Sequence, residues 1–297
     1  MTDSSGFASA NAREYFDALA LNLLKSTACE QREAQAVVLR LLDHYAGLNL
    51  ASILAGTATV AADAKILAEK ALEKIIAGQP LQYALGAADF YGRRFAVGPA
   101  VLIPRRETEE LVDLIIRDRR AAGGETTILD LATGSGCIAA TLAAELPDAR
   151  VFATDISPEA LNVARHNFDA NETRVTLACH DMLSEAELPF DTDFDIIASN
   201  PPYVMRSETP TIPPNVLNHE PHLALFVADA APLVFHEACL RIAAARLRPG
   251  GRLYVEINEK LGRETAELFE SRGFDAEIIR DMSGRDRIVK STKGFVK

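Results

Sequence analysis

Ile128-Leu129-Asp130-Leu131-Ala132-Thr133-Gly134-Ser135-Gly136-Cys137-Ile138 reads as a strand, a turn and the first residue of a helix. The four leading residues are mostly apolar, as in a buried strand, and the two glycines let the backbone pass close to a ligand. A helix is expected over 138–146, and its N-terminus offers unpaired N–H groups at the same place. The next strand, 150–154, ends at Asp155, about twenty residues past the turn and placed to accept both hydroxyls of a ribose. Beyond it the alternation continues with a helix over 158–168, a strand over 174–178 and a strand over 194–199. Strands alternating with helices imply βαβ units, so the fold class is α/β with a parallel sheet.

A second stretch, Asn200-Pro201-Pro202-Tyr203, directly follows the apolar run 194–199. It therefore lies at a strand end, where open α/β sheets bind ligands. Pro201 and Pro202 supply no N–H, so nearby carbonyls lack a local donor and are free to accept from a ligand. Such a corner suits a planar nitrogen bearing hydrogens. Asn200 Oδ1 and the Pro201 carbonyl accept its N–H groups while Tyr203 packs on its face. The turn at 132–136 lacks the full six-residue glycine pattern that cradles a pyrophosphate. A nucleoside without a pyrophosphate, such as S-adenosylmethionine, fits better. After the third strand, Asp181 is placed to accept an adenine amine and Met182 to pack on its face, with ordinary loop and core roles as the alternative.

The chain of 297 residues is on the order of two domains by the usual size prior. Hydrophobic residues make up 48% and charged residues 25%, ordinary values for a globular protein. No apolar stretch approaches the roughly 20 residues of a membrane span. Met1 to Asn11 show neither a basic nor an apolar export region, so the cytoplasm is expected. Cys29, Cys137, Cys179 and Cys239 are scattered without pairing, and no metal site is expected, the His219 and His222 pair included. The net charge of −11 argues against a large nucleic-acid footprint and favours a protein partner or small substrate. Arg93, Arg94, Arg105 and Arg106 read as a solvated face.

Upstream of the alternation, residues 12–78 read as helical. Val37, Val38, Leu41, Leu42 and Tyr45 recur at helical spacing, and a further helix over 61–77, with Leu72, Ile75 and Ile76 on one side, stops at Gly78 and Pro80. Between 81 and 104 the pattern changes to short extended pieces around Gly92, a hairpin connector. Thr108 reads as the N-cap of a helix running to about Arg120. Near the C-terminus, a helix over 232–247, a strand over 252–257, a helix over 263–271 and strands over 276–280 and 287–291 complete the pattern. The proline-containing segment 204–229 reads as a lid beside the strand-end corner, with a disordered loop as the alternative.

The order of these segments resembles the PrmC/HemK family, the release factor glutamine methyltransferases. The resemblance rests on Pro80-Leu81-Gln82-Tyr83 with Leu85-Gly86, Phe90-Tyr91-Gly92, Val101-Leu102-Ile103-Pro104-Arg105 and Glu107-Thr108-Glu109. The glycine turn, Asn200-Pro201-Pro202-Tyr203, Glu220-Pro221 and Gly284-Arg285-Asp286-Arg287 complete it. It implies a seven-stranded Rossmann-like class I methyltransferase domain over 107–297, a hairpin linker over 81–106 and a small N-terminal helical bundle over 1–80. It also implies methyl transfer from S-adenosylmethionine to the side-chain nitrogen of the glutamine in the Gly-Gly-Gln motif of peptide chain release factors. By position, Ala132, Thr133, Gly134, Ser135 and Gly136 line the cofactor turn, Asp155 holds the ribose, Met182 lies by the adenine, and Asn200, Pro201, Pro202 and Tyr203 bind the glutamine amide. A monomer is expected. The family usually has glycine where this chain has Ala132, and proline where it has Arg106. An adenine-N6 methyltransferase acting on DNA or RNA is the alternative, since it needs the same acceptor geometry, and a non-catalytic cofactor-binding scaffold is a third reading.

Overall fold

A computed structural model describes residues 11–294; all but the last residue of the Met1 to Asn11 stretch read above lies outside them. The chain divides into two units, one running to Gly86 and including Pro214–His219, the other comprising Ala87–Pro213 and the chain from Glu220 onward.

The first unit is helical. α1 (Ala12–Ser26) starts from a capping box, in which the Asn11 side chain accepts from Glu14 N at 2.9 Å and Glu14 Oε2 accepts from Asn11 N at 3.3 Å. α2 (Gln31–Ala46) buries Val38, Leu41 and Leu42, with Val37 and Tyr45 of the same stripe partly buried against them. After the single turn of α3 (Leu50–Leu54), α4 (Ala62–Ile76) turns Ala64, Ala68, Ala71 and Leu72 inward. Small residues there let α2 and α4 approach closely, and Ile75 and Ile76, partly buried, pack against the same core. Leu81–Leu85 is one more short helix, α5, where extended backbone is expected from sequence; Gly86 ends it at φ 70°.

In the second unit, β1 (Ala87–Phe90) and β2 (Arg93–Ala96) form an antiparallel hairpin with a two-residue turn. Both turn residues are left-handed, Tyr91 at φ 49° and Gly92 at φ 71°, which is the turn sense that matches strand twist. The buried Asn167 side chain clamps this hairpin to the glycine turn. Its Oδ1 accepts from Ala96 N at 2.7 Å, and its Nδ2 donates to Ala96 O at 2.9 Å and to Ser135 O at 2.8 Å.

The remaining elements run α6 (Arg106–Ala122), β3 (Thr126–Leu131), α7 (Cys137–Glu145), β4 (Ala149–Asp155), α8 (Pro158–Ala170), β5 (Val175–Cys179) and β6 (Phe194–Ser199). They continue through β7 (Val204–Met205), α9 (Pro214–His219), β8 (Phe226–Val227), α10 (Val234–Arg246), β9 (Leu247–Glu256), α11 (Gly262–Glu270), β10 (Phe274–Arg280) and β11 (Asp286–Lys293). Seven strands make one sheet in the order β10-β11-β9-β6-β3-β4-β5. β9, β6, β3, β4 and β5 are mutually parallel, as the alternation predicts; β11 and β10 are antiparallel, because a short turn rather than a crossover helix joins them. One apolar layer joins α6, α7 and α8 to one face of the sheet and a second joins α10 and α11 to the other. β3 is buried at every residue, the polar Thr126, Thr127 and Asp130 included.

Two local readings are corrected. Thr108 is not a cap: α6 begins at Arg106 with Arg105 as N-cap, and Thr108 lies buried within its first turn. Arg106 thus holds the first helical position, where a proline fits without loss because that N–H has no helical partner. The four arginines do not share one solvated face either, since Arg93 pairs with Glu145 at 2.9 Å and Arg105 with Glu220 at 2.6 Å. The segment after Tyr203 carries regular structure, with β7 and β8 paired in parallel and a 3-10 turn over Arg206–Thr211. Lys260 and Asn258 hold Glu208 at 2.6 and 2.7 Å.

Candidate active site

The chain moves outward from β3 through β4 to β5 and then returns to place β6 on the other side of β3. The C-terminal ends of β3 and β6 therefore flank a topological switch point, where open sheets leave a crevice. A cleft of about 350 Å³ opens there, within the range of roughly 300–1,000 Å³ typical of small-molecule sites.

Ala132, Thr133, Gly134, Ser135, Asp155, Asp181, Met182, Asn200 and Pro202 line it, drawn from the ends of four strands. Gly136, Pro201 and Tyr203 do not line it. At Gly136 the reason is packing: φ is 80°, and a Cβ would lie 2.6 Å from Phe168 Cε1. The glycine lets α8 press against the start of α7.

The turn after β3 is a matter of backbone shape. Ala132, Gly134 and Gly136 all have positive φ, at 56°, 55° and 80°. Ala132 is thus a non-glycine residue in a left-handed position, where the methyl costs roughly 1 kcal/mol. Asp130 is completely buried; its Oδ2 accepts from Thr133 Oγ1 at 2.6 Å and from Ala139 N at 3.2 Å. Burial pushes its carboxyl up to about 7 against those two hydrogen bonds.

Asp155 ends β4 and ties the turn in place. Oδ2 accepts from Gly134 N at 2.8 Å and Oδ1 from Ser157 N at 2.9 Å. Burial raises its pKa, and the N–H groups of Ser157 and Gly134 pull it back. Each oxygen keeps a lone pair beyond these bonds. Asp181 Oδ1 accepts from Leu183 N at 2.9 Å, and Met182 is buried in the apolar layer beneath. The buried Nε2 of His180, also in the cleft wall, has no partner among the described residues, and burial lowers this ring's pKa.

The corner after β6 is built from side chains that sequence reading did not connect. Asn200 Nδ2 donates to Thr108 Oγ1 at 3.0 Å, and Thr108 Oγ1 donates to Glu256 Oε2 at 2.6 Å. Tyr203 OH donates to the other oxygen, Oε1, at 2.8 Å. Tyr203 is therefore anchored by its hydroxyl to Glu256 rather than offered to the cleft as a platform. Burial pushes the Glu256 carboxyl up, while the two hydroxyls and the nearby Arg287 charge favour its ionised form. Burial and that carboxylate raise the Tyr203 phenol well above its ordinary value. The buried Glu220 accepts from Ile103 N at 3.1 Å and from Arg105 Nη2 at 2.6 Å, which fixes the segment lining the cleft ahead of α6. Glu256 lies more than fifty residues from Asn200 with no local signal; Thr108 stands out in the sequence as a helix start and within Glu107-Thr108-Glu109, not as a partner of Asn200.

Among the described residues, no group of three or more His, Cys, Asp or Glu side chains is placed to hold a metal ion, and no helix is long and apolar enough to cross a membrane.

A seven-stranded sheet of this order, with a glycine turn and an acidic strand end at its switch point, defines a class I methyltransferase. In agreement, the Methyltransferase small domain family matches residues 111–220. A crystal structure of a methyltransferase from Pyrococcus furiosus superposes with a TM-score of 0.51 at 20% identity, covering 75% of this chain and 98% of that one, a likeness of fold. Release factor glutamine methyltransferases are much nearer in sequence. The Bacteroides thetaiotaomicron protein is 44% identical over 230 residues, 76% of this chain and 81% of its own. The Deinococcus radiodurans protein is 35% identical over 259 residues, 85% of this chain and 89% of its own. The chain belongs to the release factor glutamine methyltransferase family.

Proposed function

We propose that this chain transfers a methyl group from S-adenosylmethionine to the side-chain amide nitrogen of the glutamine in the Gly-Gly-Gln motif of peptide chain release factors. The observation that carries the reading is the acceptor-rich corner at the end of β6. Asn200 lines the cleft with its Nδ2 committed to Thr108, and among the described residues no donor reaches its Oδ1.

The cleft fits the cofactor. Gly134 presents open space where a side chain would stand, Asp155 carries acceptor lone pairs at the end of β4, and the His180 Nε2 lacks a partner. Ala132 to Ser135, Asp155, Asp181 and Met182 would hold it. When bound, S-adenosylmethionine supplies an electrophilic methyl group on a sulfonium sulfur.

The protein's own task is to make a poor nucleophile competent, since an amide nitrogen delocalises its lone pair into the carbonyl. Asn200 Oδ1, in the cleft wall, accepts an N–H of that amide, orients the nitrogen and stabilises the positive charge that grows on it. Orientation of this kind contributes roughly 7–11 kcal/mol in favourable cases. An adenine amine would meet the same acceptors, but the net charge of −11 disfavours a polyanionic substrate.

The test is transfer of labelled methyl to a purified release factor, to its Gly-Gly-Gln Gln→Ala variant, and to DNA and RNA. Label on the wild-type factor alone is expected. Label on nucleic acid alone would overturn the reading.

A further inference from the structure

Glu256 closes β9 at 1% exposure, and each of its oxygens receives one hydroxyl, Thr108 at 2.6 Å and Tyr203 at 2.8 Å. In both bonds the hydroxyl is the donor and the carboxyl oxygen the acceptor, and a hydroxyl has one proton to give. The single proton of the Thr108 hydroxyl therefore points at Glu256, and the Thr108 oxygen has only acceptor capacity left for a third group. That group is Asn200, at 3.0 Å, which must turn its NH₂ end toward Thr108. A primary amide has one donor end and one acceptor end, so fixing Nδ2 also fixes where Oδ1 points.

Thr108 has no competing duty. It lies inside the first turn of α6, whose N-cap is Arg105, and its buried hydroxyl makes no hydrogen bond to the helix backbone. The relay joins the first turn of α6 to the ends of β6 and β9, across sequence separations of 92 and 148 residues. A buried carboxylate needs donors, but a backbone N–H would satisfy it equally well. The use of a hydroxyl, which can accept while it donates, extends the polarity of Glu256 to the cleft.

We propose that Glu256 is a positioning residue which, through Thr108, sets the polarity of the Asn200 amide and so makes the corner selective for a nitrogen that carries hydrogens. This rests on the function proposed above, in which Asn200 Oδ1 accepts from the substrate. A glutamine at 256 carries an NH₂ group. Donated to Thr108, it reverses the relay: Thr108 then donates to Asn200 Oδ1, the amide turns over, and its N–H groups meet those of the substrate.

The experiment uses full-length protein carrying Glu256→Gln, Thr108→Val, Thr108→Ser, or Glu256→Gln with Thr108→Val. kcat and KM are measured with a purified release factor, alongside S-adenosylmethionine affinity by calorimetry and the thermal midpoint. Glu256→Gln and Thr108→Val are each expected to lower kcat roughly 10- to 100-fold, below the loss for a group touching the reacting atoms because the acceptor itself remains. KM and cofactor affinity should stay within about threefold, and Thr108→Ser, which keeps the hydroxyl, should stay near wild type. In the double variant the kcat loss should be smaller than the product of the two single losses, since cutting the relay at Thr108 already disconnects Glu256. A normal kcat in Thr108→Val, a Thr108→Ser variant as impaired as Thr108→Val, or fully multiplicative losses would overturn the proposal. If Glu256→Gln does not fold, the Thr108→Val and Thr108→Ser pair decides it. Wild-type protein that binds cofactor but leaves glutamine unlabelled sinks the proposed function, and this inference with it. Active wild type with an indifferent Thr108→Val sinks this inference alone.

Discussion

The two strand ends that flank the cleft are built by different means. After β3, the turn is held by backbone conformation: three left-handed residues within five, and an aspartate that binds the N–H of Gly134 from the neighbouring strand. After β6, the corner is held by side chains, with Asn200 tied to Thr108 and Tyr203 to Glu256. A shape made of backbone tolerates changes that respect φ and fails on those that do not. An orientation made of hydrogen bonds fails when donors and acceptors are exchanged, even if the shape is unchanged.

The largest separation between the two is expected from Asn200→Ala. It should lower kcat roughly 10²- to 10³-fold, the scale seen when a group stabilising transition-state charge is lost. Cofactor affinity, resting on the β3 side, should hold within a few-fold by calorimetry; an equal collapse of both would merge the two regions into one site.

Gly136→Ala strikes the other side. Its Cβ would meet Phe168 at 2.6 Å on a left-handed backbone, and overpacking with strain costs roughly 2–4 kcal/mol. A lowered denaturation midpoint is the expected readout, and a stable variant would show that α8 gives way freely.

Stability against pH offers a third contrast, because two fully buried groups, Asp130 below the β3 turn and His236 beside Glu256, are shifted in opposite directions. Asp130, raised from 3.8 to about 7, holds its proton more tightly folded than unfolded; its contribution is full below about 4 and lost as pH rises toward 7. His236 is fully buried, donates through Nε2 to the Glu256 carbonyl at 3.1 Å, and is lowered by burial from 6.5 to about 4. Its contribution is full above 6.5 and lost as pH falls toward 4. Each is worth roughly 3–4 kcal/mol across its window. Denaturant titrations from pH 4 to 8 should show Asp130→Asn removing the loss on the alkaline side and His236→Gln the loss on the acid side; coincident curves would contradict both.

The smallest expected effect is Ala132→Gly. Relief of the left-handed alanine, less the added freedom of the unfolded chain, should raise stability by about 0.5–1 kcal/mol. A loss of stability would mean that the methyl group packs productively.

Legibility in the sequence followed the same division. The turn is readable because its determinants lie within one continuous stretch, 128–155: an apolar strand, glycines at fixed offsets and an acidic residue one strand later. The parallel part of the sheet followed from the same alternation. The antiparallel β10 and β11 were found as strands but not as a reversal, since direction depends on the connecting turn. Asn200 to Tyr203 stood out as unusual chemistry, yet their partners did not. Thr108 and Glu256 are 92 residues before Asn200 and 56 residues after it in the chain, and nothing local to either distinguishes a relay from a helix start or a strand end. Tyr203 was accordingly read as a stacking surface when its hydroxyl is the part in use. Asn167, which clamps the hairpin to the glycine turn, escaped for the same reason.

β9 lies near the middle of the sheet, between β6 and β11, although it comes late in the chain. During synthesis the β3 turn and the β6 corner leave the ribosome well before the strand that flanks β6 on its other side. At roughly 5–20 residues per second, the delay between Tyr203 and Glu256 is on the order of 3–10 s. For that interval the growing chain carries both recognisable motifs but lacks the carboxylate that, in the proposed relay, orients the Asn200 amide.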